Sequence, residues 1–174
     1  MRTDRGKVET LAVSGALWQE HAVDIRSMFF DSLESAKRSI TISAFSMGNK
    51  TTDLERFFSI IEKKLIAKKH VTMIVNNDEK TLMKFSRKKL DSFSETFPKY
   101  FTLRKFKPQK TRKILHSKIT VIDRRFALIG SANISRNALE HNYEMMLRVS
   151  GSVVDIMDDM MLKLSDAIQG GDQY

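Results

Sequence analysis

The spacing of apolar and polar residues predicts helices and strands that alternate in the first half of the chain, followed by a strand-rich second half. Apolar residues recur at helical intervals in four segments, at 29–37, about 53–69, 80 to about 94, and about 153–168. Short alternating or β-rich runs mark four strands, at 39–45, 71–75, 101–103 and 143–149. This order is typical of an α/β fold in which helices sandwich a mixed β-sheet.

A further pair of apolar runs, Leu115–Asp123 and Phe126–Ile129, predicts a β-hairpin. The first run carries His116 and Lys118, which are two residues apart. Because side chains at i and i+2 lie on the same face of a strand, we expect both to point into one site. An imidazole next to an ammonium group provides a nucleophile and a cation for an anionic substrate.

The end of the second run adds a hydroxyl and an amide. Gly130 and Ser131 follow it directly, and Asn133 comes two residues later. The hairpin brings these residues back beside His116, and glycine lets the backbone approach a ligand closely. The sequence therefore predicts a site equipped to hold and attack a phosphate.

The spacing of these residues resembles the HKD motif of the phospholipase D superfamily, in particular the nuclease branch with one motif per chain. The residues that carry the resemblance are His116, Lys118, Asp123, Gly130, Ser131 and Asn133, followed by Glu144 within Asn142-Tyr-Glu. The resemblance spans about residues 25–169 of a single predicted domain, 1–174, whose residues 1–24 we expect to be an edge segment or weakly ordered. It implies a phospholipase D-like fold.

The resemblance also implies roles for these residues. His116 would form a phosphohistidine, while Lys118 and Asn133 hold the non-bridging oxygens with Ser131 close by. Glu144 would accept the second ring N–H of His116 and so fix its tautomer. Asp123 is generally a structural or supporting acid in the family, and its odd offset from His116 agrees with that role.

Enzymes of this kind use two HKD motifs, with one histidine attacking and the other protonating the leaving group. This chain has one motif, because none of the other histidines has a lysine two residues later: His21, His70 and His141. We therefore expect a homodimer with one active site across the two-fold axis. His141 lies near the motif and is a candidate substrate contact, whereas the single tryptophan, Trp18, is interpreted as a packing residue.

Charge favours a polyanionic substrate. The net charge is +9, and residues 99–113 carry seven basic and no acidic residues. Interleaved aromatics there, Tyr100, Phe101 and Phe106, suggest stacking on unpaired bases. The candidate substrate-binding residues are Lys105, Lys107, Lys110, Arg112, Lys113 and Gly130.

Composition narrows the remaining choices. The chain has no cysteine, and no apolar run approaches the length of a membrane span or signal segment, so a cytoplasmic protein without membrane association is expected. We expect no cofactor or metal. Glu62 and Lys64, with Asp53 upstream, could mark a metal-dependent nuclease, but the first two lie on a predicted helix, and we interpret them as solvated charges. DNA is the preferred substrate, in restriction or repair, with targeting left to a partner protein or domain. The alternatives are a cardiolipin-like phospholipid substrate and a nucleic-acid-binding module that does not cleave.

Overall fold

The computed structural model describes residues 6–107 and 113–170, which form one mixed sheet with helices on both faces. The strand order is β2-β1-β8-β7-β6-β3-β4-β5. The strands are β1 (Lys7–Val13), β2 (Val23–Asp24), β3 (Ser39–Ala44), β4 (His70–Asn76), β5 (Phe101–Phe106), β6 (Ile119–Ile122), β7 (Phe126–Gly130) and β8 (Met145–Ser150). Strands β3, β4 and β5 are parallel, and β6, β7, β8 and β1 continue the sheet in antiparallel pairs.

In the described part of the chain, three helices and one π-helical turn lie between strands, and a fourth helix follows the last strand. They are α1 (Ile25–Ser35), α2 (Thr52–Ile66), α3 (Lys84–Thr96), the π-helical turn (Asn137–His141) and α4 (Ser152–Gly170). The side chain of Thr51 caps α2 by accepting a hydrogen bond from the N–H of Leu54 at 3.3 Å, as its position in the sequence indicates. None of the helices among the described residues is long and apolar enough to cross a membrane.

Side chains that alternate along the strands pack into two hydrophobic cores, one on each face of the sheet, which confirms the predicted sandwich. Helices α1, α2 and α3 cover one face, where Phe30 and Phe57 pack with Ile122 of β6. Helix α4 covers the other face, where Met161 packs with Val121 of β6. Since the strand faces are buried on both sides, polar chemistry is confined to the ends of the strands.

One end of the sheet gathers the motif segments. Strand β6 runs antiparallel to β3 with Ile119 opposite Ser43, and β7 runs antiparallel to β8 with Gly130 opposite Met146. The start of β6, the end of β7 and the start of β8 therefore meet near the carboxyl end of β3. We call this the site end.

The other end carries the turn between β6 and β7, and we call it the turn end. Asp123 and Arg124 occupy the turn with φ values of 56° and 54°, and the N–H of Arg125 donates to the carbonyl of Ile122 at 2.9 Å. Two successive left-handed residues are the conformation of the type I′ turn that two-residue hairpins prefer. Arg124 also binds three carboxylates of α4: Asp155 (3.1 Å), Asp158 (3.2 Å) and Asp159 (2.8 Å).

The structure corrects two predictions about strands. The motif strand begins only at Ile119, because the backbone N–H and carbonyl of Leu115 bond to the side chain of Asn76 and are unavailable to a strand ladder. Strand β5 is longer than predicted, so much of the basic segment is sheet rather than loop. Residues 7–13, expected to be an edge segment or weakly ordered, form the ordered strand β1. They lie close to the edge of the sheet, because the outermost strand, β2, pairs only with Ala12 and Val13 of β1.

Candidate active site

A buried asparagine positions the segment that carries His116. Asn76, at the carboxyl end of β4, is 5% exposed. Its amide nitrogen donates to the carbonyls of Phe45 and Leu115, both at 2.8 Å, and its amide oxygen accepts from the N–H of Leu115 at 3.1 Å. The residue before His116 is thereby fixed to the end of β4. The signal available in the sequence for Asn76 is a polar residue directly after the apolar strand predicted at 71–75.

Phe45 forms the floor beneath the imidazole and the ammonium group. The His116 ring lies 4.5 Å from the Phe45 ring, centroid to centroid, and Lys118 Nζ lies 5.0 Å from the same centroid. Lys118 Nζ also donates to the carbonyl of His116 at 3.2 Å. The hydroxyls of Ser43 and Ser117 hydrogen bond with each other and attach the segment to β3. His116 and Lys118 thus share one face although they precede the strand, and Phe45 is a site residue that sequence reasoning missed.

Gly130 allows β7 and β8 to approach closely at the site end. A Cβ atom at this position would lie 2.1 Å from the carbonyl oxygen of Met145, which no side chain tolerates. The next residue, Ser131, donates its N–H to that carbonyl at 3.0 Å, and its hydroxyl accepts from the N–H of Met145 at 3.2 Å. Gly130 therefore acts here through strand packing.

Ser131 and Glu144 form a polar pair beside Lys118. The hydroxyl of Ser131 donates to the carboxylate of Glu144, and the Asn142 amide lies 3.4 Å from the other carboxylate oxygen. Burial lowers the pKa of Lys118, and the charge of Glu144 offsets part of this effect. Within the described part of the chain, no hydrogen bond joins Glu144 to His116. The predicted pairing of these two residues is therefore not made within one chain.

Asn133 completes the group that the structure brings together. It lines a pocket with Phe45 and Lys118. Among the side chains described, its amide oxygen is one of the few buried polar atoms with no hydrogen-bond partner. A buried polar group without a partner in an otherwise well-bonded site indicates a place for a ligand.

Asp123 lies at the turn end, away from this group. Its carboxylate accepts hydrogen bonds from the backbone N–H groups of Lys37 (2.8 Å), Arg38 (2.7 Å) and Ser39 (2.9 Å). Burial opposes ionisation of Asp123, but these hydrogen bonds outweigh burial and lower its pKa. The carboxylate ties the β6–β7 turn to the start of β3, so its position is structural.

The basic segment contributes less to the site than its composition suggests. Lys105 pairs with Asp91 of α3 at 2.6 Å, and it lies on β5, which β3 and β4 separate from β6. Phe101 and Phe106 are buried in the two cores, so the expectation that they stack on bases is wrong. Tyr100 also packs against a core. Two further members of the segment are exposed on the site side, Lys107 after β5 and Lys113 before His116, whereas Lys110 and Arg112 lie outside the described residues.

The site has the chemistry of phosphate binding and nucleophilic attack. It combines an imidazole, an ammonium group, an amide and a hydroxyl–carboxylate pair: His116, Lys118, Asn133, Ser131 and Glu144. Over residues 6–107 and 113–170, no cluster of three or more histidine or acidic side chains is arranged to hold a metal ion.

Comparisons with known proteins give a consistent family and fold. The family described as "Cardiolipin synthase, PLD-like domain" matches residues 29–165. NucT from Helicobacter pylori superposes with a TM-score of 0.61 at 21% identity, over 95% of this chain and 94% of NucT. Nuc from Salmonella typhimurium, described as a phospholipase D family member, gives 0.65 at 16% identity, over 91% and 93%. Phosphatidylserine synthase from Haemophilus influenzae gives 0.64 at 13%, over 91% of this chain and 37% of that one.

No curated protein sequence gives a significant match. The solved structures support the fold, since each superposes on most of this chain at low sequence identity. The family match covers the residues from α1 to α4 and includes every motif residue from His116 to Glu144. The chain therefore belongs to the phospholipase D superfamily, with a PLD-like domain over residues 29–165.

Proposed function

We propose that the protein is a metal-independent endonuclease that cleaves DNA through a covalent phosphohistidine, in a site that a second copy of the chain completes. The observation that carries this proposal is the meeting of His116, Lys118 and Asn133 at the site end, on a domain of the phospholipase D superfamily. The net charge of +9 supports a nucleic acid as the phosphodiester substrate.

The proposed reaction has two displacements. A neutral His116 attacks phosphorus, so a P–N bond forms while the P–O bond to the leaving nucleotide breaks. A second, protonated imidazole gives its proton to the leaving oxygen. Water then attacks the phosphohistidine and loses a proton to that second imidazole, the P–N bond breaks, and a terminal phosphate is released. Lys118 and Asn133 stabilise the non-bridging oxygens, and the low pKa of Lys118 reflects burial that strengthens this interaction.

The second imidazole is the reason for proposing a dimer. His70 begins β4 at the end of the sheet away from the site, and His21 and His141 are exposed without a neighbouring motif lysine. We propose that the acid is the partner's His116, which makes one site from two identical motifs in different protonation states. The role of Glu144 in orienting an imidazole also stays a prediction, since in the single chain it accepts from Ser131 and Asn142.

Cleavage in excess EDTA is the first test. Wild type should nick plasmid and cut single-stranded DNA with EDTA present, while His116→Ala should lose all measurable cleavage. His70→Ala is the matched control, because that histidine is exposed at the far end of the sheet. Cleavage that disappears with EDTA or persists in His116→Ala would contradict the mechanism.

Mixed dimers test the shared site. Wild-type and His116→Ala chains are co-refolded in varied ratios, so that subunits combine at random. If both copies of His116 serve one site, activity falls as the square of the wild-type fraction, to about a quarter in an equal mixture. A site complete in one chain predicts a linear fall, to about half.

The family name favours a second substrate class, because its description refers to cardiolipin synthase. The same two displacements would act on a phospholipid phosphodiester. Release of phosphatidic acid from cardiolipin vesicles by wild type, without DNA cleavage, would replace the nuclease proposal. Binding of DNA by wild type with no cleavage of either substrate would instead favour the binding module.

We also propose that a targeting partner protein or domain selects the DNA sequence that is cleaved. The prediction of a cytoplasmic location is unchanged.

A further inference from the structure

An aromatic pair of an exposed tyrosine and a half-buried tryptophan lies next to Glu144, in a place where the sequence predicted only packing. The rings of Trp18 and Tyr143 meet edge to face, with centroids 5.1 Å apart and planes at 72°. Tyr143 precedes Glu144 directly and is 51% exposed. This pair therefore lies at the site end, next to Glu144 and just before β8, whereas the aromatics of β5 are buried in the cores.

The pair is held rigidly. Gly15 has a φ of 91° and packs against the Tyr143 ring so closely that a Cβ atom would lie 2.6 Å from it. Its neighbour Ser14 is fully buried and donates its N–H to the carbonyl of Glu144 at 3.1 Å. The Ser14 hydroxyl lies 2.7 Å from the carbonyl of Asn142. The segment with Trp18 is thus fastened to the strand that carries the acidic residue of the site.

We propose that Tyr143 and Trp18 form a stacking subsite for an unpaired nucleobase next to the scissile phosphate. This proposal rests on the nuclease function and deepens it by assigning a single-stranded or locally unpaired substrate. A rigid aromatic face pays little conformational entropy when it stacks on a base. His141 and Asn142 directly precede Tyr143, and their exposed side chains offer hydrogen bonds to a base edge, which an acyl chain could not use. The net charge of +9 agrees with a nucleic-acid occupant.

The single tryptophan of the chain gives a direct readout, because Trp18 emission reports only this place. Full-length His116→Ala is titrated with a short oligothymidylate and with the same oligonucleotide containing central abasic residues, in EDTA. We expect saturable quenching by oligothymidylate and weaker binding of the abasic oligonucleotide by roughly 5- to 140-fold, the range typical of one lost base–aromatic stack.

Tyr143→Leu in the same background separates stacking from a general loss of affinity. It should weaken binding of oligothymidylate by a similar factor and leave binding of the abasic oligonucleotide within about twofold, because the stack is then already absent. Tyr100→Leu is the matched control, since that tyrosine packs near His70 at the far end of the sheet, and it should alter neither affinity. Equal losses for both oligonucleotides in Tyr143→Leu would overturn the proposal.

Two other results would also overturn it. If Trp18 emission does not change when DNA is added but changes on dilution of the protein, Trp18 and Tyr143 belong to a subunit interface. If Trp18 emission does not change when DNA is added but shifts when anionic vesicles are added, Trp18 and Tyr143 belong to a membrane-binding surface. Cleavage by wild type in EDTA is scored separately: a chain that cleaves without the stacking signature refutes the subsite alone, and one that shows the signature without cleaving refutes hydrolysis alone.

Discussion

Replacement of Asp123 distinguishes a structural from a catalytic role for the acid of the motif. One carboxylate oxygen accepts from the N–H groups of Arg38 and Ser39, and the other accepts from Lys37. In Asp123→Asn, one amide oxygen can keep the first two bonds, but the amide nitrogen faces the N–H of Lys37, donor against donor. Asp123→Ala removes both acceptor oxygens, and so all three hydrogen bonds, and places a Cβ-bearing apolar residue at a φ of 56°.

The structure sets the order and approximate size of the losses. A hydrogen bond to a charged group contributes about 1.5–3 kcal/mol, and less where water can replace the acceptor. Only the bond to Ser39 is partly buried, while those to Lys37 and Arg38 are exposed. We therefore expect unfolding free energies lower by about 1–2 kcal/mol for Asn and about 3–5 kcal/mol for Ala, which includes about 1 kcal/mol for left-handed strain.

Urea unfolding measures the two losses, and cleavage per folded molecule in EDTA measures the catalytic effect. With about 2–4 °C of Tm per kcal/mol for a chain of this length, Asp123→Ala should melt about 6–20 °C lower than wild type. Both variants should keep cleavage within about threefold of wild type well below their melting temperatures. A folded Asp123→Asn protein with cleavage reduced 100-fold or more would refute the structural assignment.

The pH dependence of stability provides an independent check. The pKa of Asp123 is lower in the folded chain than in the unfolded chain, so its charge stabilises the fold above its ordinary pKa of about 4. This contribution is lost as the pH falls from about 4 through the folded value. The stability difference between wild type and Asp123→Asn should therefore be constant near neutrality and shrink below pH about 4.

Three further substitutions examine the site. Burial lowers the pKa of Lys118, so the charged ammonium group destabilises the folded chain at neutral pH. Lys118→Met should therefore raise the Tm, while the loss of the ammonium group abolishes cleavage. Gly130→Ala should lower the unfolding free energy by at least about 2 kcal/mol and impair cleavage at least tenfold, because its Cβ would lie 2.1 Å from the Met145 carbonyl. Asn76→Ala should cost about 3 kcal/mol or more and reduce cleavage about tenfold or more, since three buried backbone groups lose their partner. Thermal melts and EDTA-resistant cleavage measure each effect.

Matched variants control the experiments on Gly130 and Asn76. Gly48→Ala places its Cβ 3.2 Å from the Ser135 side chain, a contact that a small shift relieves, and should be nearly neutral. Asn77→Ala loses one hydrogen bond with Arg87 and should cost less than Asn76→Ala. Lys118→Met with a lower Tm, or a Gly130→Ala or Asn76→Ala variant indistinguishable from its control, would contradict the corresponding argument.

The sequence predicted the sandwich and the motif cluster because both depend on local patterns. His116 and Gly130 lie on segments joined by a three-residue loop between the paired Ile122 and Phe126, so their approach follows from hairpin geometry alone. The hydrogen bonds of Asn76 to Leu115 span 39 residues and depend on the strand order β6-β3-β4, which no short pattern contains. The aromatics of β5 were misinterpreted for a related reason. The basic side chains of the segment suggested an exposed surface, whereas Phe101 and Phe106 at the two ends of β5 are buried.

Arg124 and its three aspartates have a consequence for how the molecule meets its substrate. Three carboxylates against one guanidinium leave a formal charge of −2 within this cluster on α4. Lys118, with Lys107 and Lys113 nearby in the fold, places positive charge toward the site end. Before contact, a polyanion is attracted to these lysines and repelled by the carboxylates of α4. The acidic helix would thus favour encounters in the productive orientation, an advantage that fades as salt shortens the range of the field.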